Sequence, residues 1–427
     1  MDTIYAVSSG APPAAIAVMR VSGPDAFETV RAFAGDLPKP RRAAVRALQD
    51  PVDGALLDRA IVLCFPGPNS ATGEDLAEFH LHGGRAVVRA VEAALGARPG
   101  LRSAEPGEFT RRALLHGRID LSEAEGLGDL LMAETEAQRR SAIRSAEGAV
   151  RRAVEGWTDQ LLGLAARVEA ELDHSDEDDV ADAALLPAIR SGAAALAGDI
   201  EAVADRPPVE RLRDGIRVVL AGPPNAGKSS LLNAMAGRDA AIVSPISGTT
   251  RDRIEAPVVR GGIAWLLIDT AGLAELPGDE IEAIGIARAQ AAQAEADILL
   301  WLGDETPPAH EQLLWLNPRA DLPEREAGEG RLSLSSRTGA GMEALWQAMA
   351  GLAADLLPPP DQMALNARQR ELSQGAAAAL RAIERESDLL LIAEHLRSAM
   401  RAFDAITGRA GVEAMLDALF GRFCIGK

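Results

Sequence analysis

Two early apolar runs, Ile16-Ala17-Val18-Met19-Arg20-Val21 and Ala60-Ile61-Val62-Leu63-Cys64-Phe65, are short and rich in β-branched residues, and they predict strands. Gly, Pro and Asn gather between such runs, as in Pro66-Gly67-Pro68-Asn69-Ser70, and mark turns. From Gly83 to Leu95 the apolar positions recur at helical spacing. Residues 1–118 therefore predict an α+β domain. The pattern changes after Asp120. From Leu121 to about Arg206, Ala, Leu, Glu and Arg follow a helical period. The acidic run Asp173 to Asp179 interrupts it and reads as a solvated loop rather than a metal site. Pro207-Pro208 ends this helical segment, residues 119–210.

Residues 211–357 alternate strands with helices. Ile216-Arg217-Val218-Val219-Leu220-Ala221, Trp265-Leu266-Leu267-Ile268 and Ile298-Leu299-Leu300-Trp301-Leu302 predict buried strands of a doubly wound α/β sheet. Pro358-Pro359-Pro360 closes the segment, and residues 358–427 turn helical again. The predicted fold is thus multidomain, α+β and α/β. An α/β domain is inserted into a helical domain made of two chain segments, with the proline clusters as hinges.

Composition sharpens this picture in three ways. Aromatics make up only 3% of the 427 residues, so the cores must be built from Leu, Ala, Val and Ile, which favours helix. The net charge is −19, which argues against a chain that coats nucleic acid unaided; RNA contact would need local basic patches or a partner. Two cysteines far apart, Cys64 and Cys424, form no disulfide framework and fit a reducing compartment. The start shows no basic segment followed by an apolar stretch, and no apolar run reaches the roughly 18 residues that span a bilayer. The sequence reads as cytoplasmic.

The strongest chemical signal is Gly222-Pro223-Pro224-Asn225-Ala226-Gly227-Lys228-Ser229, a G-x-x-x-x-G-K-[ST] loop. It follows a predicted strand and opens the helical run Ser230 to Ala236. Glycines let backbone N–H groups close on phosphate, and the helix N-terminus adds a favourable dipole. Lys228 is expected to reach the β and γ phosphates, and Ser229 to ligate Mg²⁺. Asp269-Thr270-Ala271-Gly272 follows another apolar strand. Its aspartate can hold Mg²⁺ through water, and Gly272 can offer its N–H to the γ phosphate. Gly248-Thr249-Thr250-Arg251-Asp252 lies between, with a threonine to sense the γ phosphate and Mg²⁺. Guanine recognition in GTPases usually rests on Asn-Lys-x-Asp. Here the candidate is Asn317-Pro318-Arg319-Ala320-Asp321, with Pro318 where asparagine is expected and Asn317 one residue early. Ser335-Ser336-Arg337 resembles the Ser-Ala-Lys loop that backs the base. GTP is therefore the expected nucleotide.

Over nearly its full length the chain resembles the MnmE (TrmE) family of tRNA modification GTPases. The matching motifs are Asp2-Thr3-Ile4, Met19-Arg20-Val21-Ser22-Gly23, Pro68 to Asp75, His80-Leu81-His82-Gly83-Gly84, Pro106 to Ala113, Asp120 to Glu125 and the terminal Phe423-Cys424-Ile425-Gly426-Lys427. The resemblance implies an N-terminal folate-binding and dimerisation domain, a discontinuous helical domain and an inserted Ras-like P-loop G domain. It implies a homodimer that joins a flavin-dependent partner of the MnmG/GidA type, as a heterotetramer, and acts on tRNA. Together they would place an aminomethyl or carboxymethylaminomethyl group on C5 of wobble uridine 34. The one-carbon unit would come from 5-formyl- or 5,10-methylene-tetrahydrofolate. Arg20, Glu78, Arg118 and Lys427 match its binding positions, Arg118 standing where lysine is common. Read bare, Arg20 and Glu78 are ordinary surface residues. The segment Ser8 to Ala15 departs from a glycine-richer turn in the family.

The same resemblance implies K⁺-dependent hydrolysis. Asn225 matches a K⁺ ligand in the phosphate loop. Ser244, Pro245, Ile246, Ser247, Gly248 and Thr249 match the loop that encloses the ion, with Ser244, Ile246 and Thr249 as further ligands. Mg²⁺ falls to Ser229 and Thr250. The nucleotide set adds Ala226, Gly227, Lys228, Ser230, Asp269, Thr270, Ala271, Gly272, Asp321, Ser335, Ser336 and Arg337. Leu273 stands where Ras-type proteins carry a water-orienting glutamine, so the catalytic group must lie elsewhere, and Glu282 matches the family's glutamate. Cys424 reads as inert, and His80 with His82 lacks further metal ligands at suitable spacing. The competing reading is a regulatory GTPase of ribosome assembly. The N-terminal motifs and the terminal Cys-Ile-Gly-Lys discriminate against it.

Overall fold

The computed structural model describes residues 2–174, 184–239, 254–270, 290–325, 328–359, 361–409, 416, 419–421, 423 and 426. The chain divides into two compact units, Met1–Gly128 with Ala146–Val154 and Asp404–Lys427, and Asp129–Ser145 with Glu155–Phe403.

The first unit is built on β1 (Thr3–Val7), β2 (Ile16–Ser22), α1 (Ala26–Ala34), β3 (Ala44–Gln49), β4 (Leu56–Phe65), β5 (Leu76–His82), α2 (Arg85–Gly96), β6 (Leu101–Ser103) and α3 (Glu108–Leu115). The six strands run in the order β3-β4-β5-β2-β1-β6, antiparallel except for the β1–β6 pair. The two strands expected from sequence lie in β2 and β4, and the expected helix is α2. Alternating residues of β2, β4 and β5 bury Met19, Val62 and Phe79 against Val30 and Phe33 of α1 and Val88, Val91 and Leu95 of α2. Gly426 also belongs to this unit. Its φ is +96°, and a Cβ there would lie 2.1 Å from the Val7 carbonyl oxygen. Ser8 Oγ donates to the Gly426 carbonyl at 2.7 Å, so only glycine allows the chain to pass this close.

Helices follow: α4 (Leu121–Met132), α5 (Glu136–Ala146), α6 (Ala149–His174), α7 (Leu185–Ala204) and α8 (Val209–Arg213). The second unit then forms a sheet from β7 (Ile216–Ala221), β8 (Ile254–Arg260), β9 (Ile263–Asp269), β10 (Ile298–Trp301), β11 (Leu313–Asn317) and β12 (Leu332–Ser333). Its order is β12-β11-β10-β7-β9-β8. Helix α9 (Lys228–Asp239) follows β7, and α10 (Met342–Leu356), α11 (Ala367–Ala382) and α12 (Leu389–Thr407) follow the sheet. Strands β7, β9, β10, β11 and β12 are parallel, and β7 is buried at every position but Arg217, as its apolar residues require. The sheet is mixed, because β8 runs antiparallel to β9. Gly261 and Gly262 join them with φ of +61° and +76°, the conformation that a two-residue hairpin demands. Trp265 and Trp346 meet edge-on under the sheet, with ring centroids 5.7 Å apart. Beyond the prolines, α11 starts with a capping box in which Asn366 and Gln369 bond each other's backbone N–H. No helix among the described residues is long and apolar enough to cross a membrane.

Candidate nucleotide-binding site

The loop Gly222–Ser229 joins the C-terminal end of β7 to the N-terminus of α9. Three residues reverse the chain with positive φ: Gly222 (+143°), Asn225 (+60°) and Gly227 (+101°). Asparagine tolerates this conformation better than most side chains. Lys228 is 6% exposed and turns back over the loop, donating to the carbonyls of Gly222 and Pro223 at 2.9 Å each. Burial pulls its pKa down, and the nearby Asp269 carboxylate opposes that shift. Ser229 Oγ donates to Asp269 Oδ2 at 2.5 Å, bringing the two motifs together at the strand ends. These two hard oxygens suit a Mg²⁺ ion. Thr270 places its hydroxyl on the Leu220 carbonyl at 2.8 Å, so that oxygen serves the sheet.

The base-recognition candidates converge on a second loop. Asp321 accepts from Ser335 Oγ at 2.6 Å on one oxygen, and from Arg337 Nε and Nη2 at 2.9 and 2.6 Å on the other. Those donors hold the Asp321 carboxyl below its ordinary range, Ser335 first and Arg337 next. Asn317 faces inward and is 2% exposed; its amide donates to Ser333 Oγ at 3.2 Å and accepts from Arg325 Nε at 2.9 Å. Arg319 was not singled out by the sequence. It donates from Nη2 to the Asn225 carbonyl at 2.5 Å and so ties the base loop to the phosphate loop. Counting back from Asp321, it occupies the lysine position of Asn-Lys-x-Asp, which was the available signal.

In the first unit, Arg20 and Glu78 stand opposite each other on β2 and β5. Arg20 donates to Glu78 Oε1 from Nε at 3.2 Å and Nη2 at 2.9 Å, while His80 Nε2 lies 3.2 Å from Oε2. The Arg20 guanidinium sits 5.7 Å from the Phe109 ring centroid. Arg118 follows α3, with its backbone N–H on the Ala113 carbonyl. Cys64 is buried, which pushes its thiol pKa up to about 11 and leaves it unreactive.

Residues 121–424 match the family model described as the MnmE helical domain, and residues 3–118 match that of the GTP-binding protein TrmE N-terminus. The chain belongs to the MnmE (TrmE) family of tRNA modification GTPases. A tRNA modification GTPase MnmE from Rhizorhabdus wittichii is 58% identical over 429 residues, covering 100% of this chain and 97% of that relative. Those of Erythrobacter litoralis and Novosphingobium aromaticivorans are 56% and 53% identical, with 100% of each chain covered. Among solved structures, the G domain of the T. maritima FeoB iron transporter is 24% identical, covering 32% of this chain and 98% of that chain. Its TM-score of 0.25 is too low to add to the sheet topology.

Several residues that the MnmE resemblance nominates lie outside the described residues: Ser244, Pro245, Ile246, Ser247, Gly248, Thr249, Thr250, Ala271, Gly272, Glu282 and Lys427, together with Leu273 and Cys424.

Proposed function

We propose that this chain is a K⁺-activated GTPase that, with a flavin-dependent partner, modifies C5 of wobble uridine 34 in certain tRNAs. The observation that carries the reading is the meeting of Ser229 with Asp269 beside the phosphate loop. Arg319 links that loop to the loop of Asp321. In this reading the loop N–H groups and Lys228 hold the triphosphate. Ser229 and Thr250 hold Mg²⁺, with Asp269 acting through water. Asn225, Ser244, Ile246 and Thr249 hold K⁺, which supplies the positive charge that an arginine finger gives in other GTPases. Glu282 orients the attacking water. Asp321 reads guanine, with the backbone of the loop Ser335, Ser336 and Arg337 behind it.

The N-terminal domain dimerises and binds a tetrahydrofolate carrier through Arg20, Glu78, Arg118 and Lys427. A pterin suits a carboxylate and a glutamate tail suits cations, so the Arg20–Glu78 pair offers both kinds of group. The match of residues 3–118 to the TrmE N-terminus weighs against a ribosome-assembly GTPase. Mass spectrometry of wobble uridine in tRNA from cells lacking this protein tests the reading. Loss of the C5 substituent is expected, and an unchanged nucleoside would overturn it.

A further inference from the structure

Asp321 carries the base contact in the proposed function, and the inference below rests on that reading. Both oxygens of its carboxylate are already engaged. The two donors differ. Ser335 is fully buried, and its Oγ also accepts from the Thr338 N–H at 3.2 Å, so it is part of the loop's frame. The Arg337 side chain is 76% exposed and reaches Oδ2 from the solvent side. Its Nε–H and Nη2–H form two donors along one side of a planar, delocalised group. Guanine presents the same pattern along its N1–H and N2–H edge. Arg337 therefore offers Asp321 what the base would offer. Asn317 is turned inward onto Ser333 and Arg325 and adds no donor at this edge.

We propose that the Arg337 guanidinium competes with the guanine edge for Asp321, so that nucleotide association waits on its departure. The energy of this latch belongs to the free protein alone. It slows the entry of any base that needs Asp321, and it leaves the preference between bases to the carboxylate itself.

Stopped-flow binding of fluorescent (mant) GDP and IDP to the full chain tests this. An exposed ion pair is worth little, so Arg337→Ala and Arg337→Met are expected to raise the association rate about two- to fivefold. Dissociation rates and the GDP-to-IDP ratio are expected to stay as in the wild type. A faster dissociation with unchanged association would mean that Arg337 backs the bound base, and would overturn the proposal. Unchanged rates in both directions would overturn it too. Asp321→Ala separates this from the nucleotide reading: if it binds GDP as tightly as the wild type, Asp321 does not read the base at all.

Discussion

Ser229 Oγ lies 2.5 Å from Asp269 Oδ2, joining the first turn of α9 to the last residue of β9. The two oxygens come from motifs forty residues apart in sequence and meet only because β9 runs parallel beside β7. A charge-assisted bond of this kind is worth about 1.5–3 kcal/mol. We predict that Ser229→Ala and Asp269→Asn each lower Mg²⁺-dependent GTP hydrolysis by roughly 10- to 150-fold. Turnover within twofold of the wild type at saturating Mg²⁺ would show that these oxygens do not serve the metal.

Arg319 leads to a second prediction. It reaches the Asn225 carbonyl from the base loop, and Asn225 already holds a positive φ. Arg319→Ala should release that carbonyl and weaken GDP binding by about tenfold, the worth of one hydrogen bond to a charged group. Arg319→Lys should recover most of the loss, since a single donor suffices at one carbonyl. Equilibrium titration with labelled GDP reads both, and equal affinities in all three proteins would remove the residue from the site.

The phosphate loop, β7 and α9 were legible from sequence because an apolar run, a glycine-punctuated turn and a helical run stand next to one another. Arg319 was not, because its bond to the Asn225 carbonyl reaches across 94 positions of sequence. In the fold, Asn317 is consumed by Ser333 and Arg325, a pairing no local pattern reveals. Strand β8 escaped notice for a different reason. Its Pro257 demotes a central strand, and the structure puts it at a sheet edge, where proline is tolerated. The Gly261-Gly262 hairpin was the cue that could have recovered it. The charged cluster around Arg112 was also unreadable, since its partner Asp2 stands 110 residues away.

That cluster gives a stability prediction. Arg112 is 4% exposed and donates to the Asp2 carbonyl at 2.8 Å, and to Asp2 Oδ1, Glu74 and Glu108 at 3.0 Å each. Arg112→Ala strips the cation from Glu74, whose side chain is 13% exposed, while Glu108 and Asp2 keep Arg102, and it should cost about 3–5 kcal/mol. Denaturant unfolding of the full chain measures it. A loss below about 1 kcal/mol, the worth of an exposed pair, would mean that solvent reaches the cluster.

Glu108 sets the pH dependence of the same unit. Burial alone would raise its pKa, but hydrogen bonds from Arg102, the Glu105 N–H and Arg112 outweigh burial and hold it below its ordinary value of 4.5. Its folded pKa thus lies below its unfolded one. The stabilisation is complete above pH 4.5 and drains away as pH falls through the folded pKa. The melting temperature of the wild type should therefore drop more steeply below pH 4.5 than that of Glu108→Gln. Parallel curves would assign the acid sensitivity to other groups.

Two hydrolysis measurements bear on the proposed cation loop and on Glu282. GTP turnover should be faster in K⁺ than in Na⁺ at equal ionic strength. Glu282→Ala should keep GDP binding and lose about 100-fold or more in turnover, as expected for a group that positions the nucleophile. Equal rates in the two salts would sink the cation loop, and unchanged turnover would sink the glutamate.

The contact of Ser8 with Gly426 spans 418 positions of sequence. Everything between them must be synthesised before it can form, so the first unit cannot finish folding while its own strands are the only part of the chain outside the ribosome. Such a long-range closure also slows the search for the native state. Until it forms, Ser8, just beyond the end of β1, lacks this partner, and a nascent chain halted anywhere before Gly426 leaves the first unit without its closing contact. A frameshift or premature stop late in the message would therefore damage the earliest-made part of the protein.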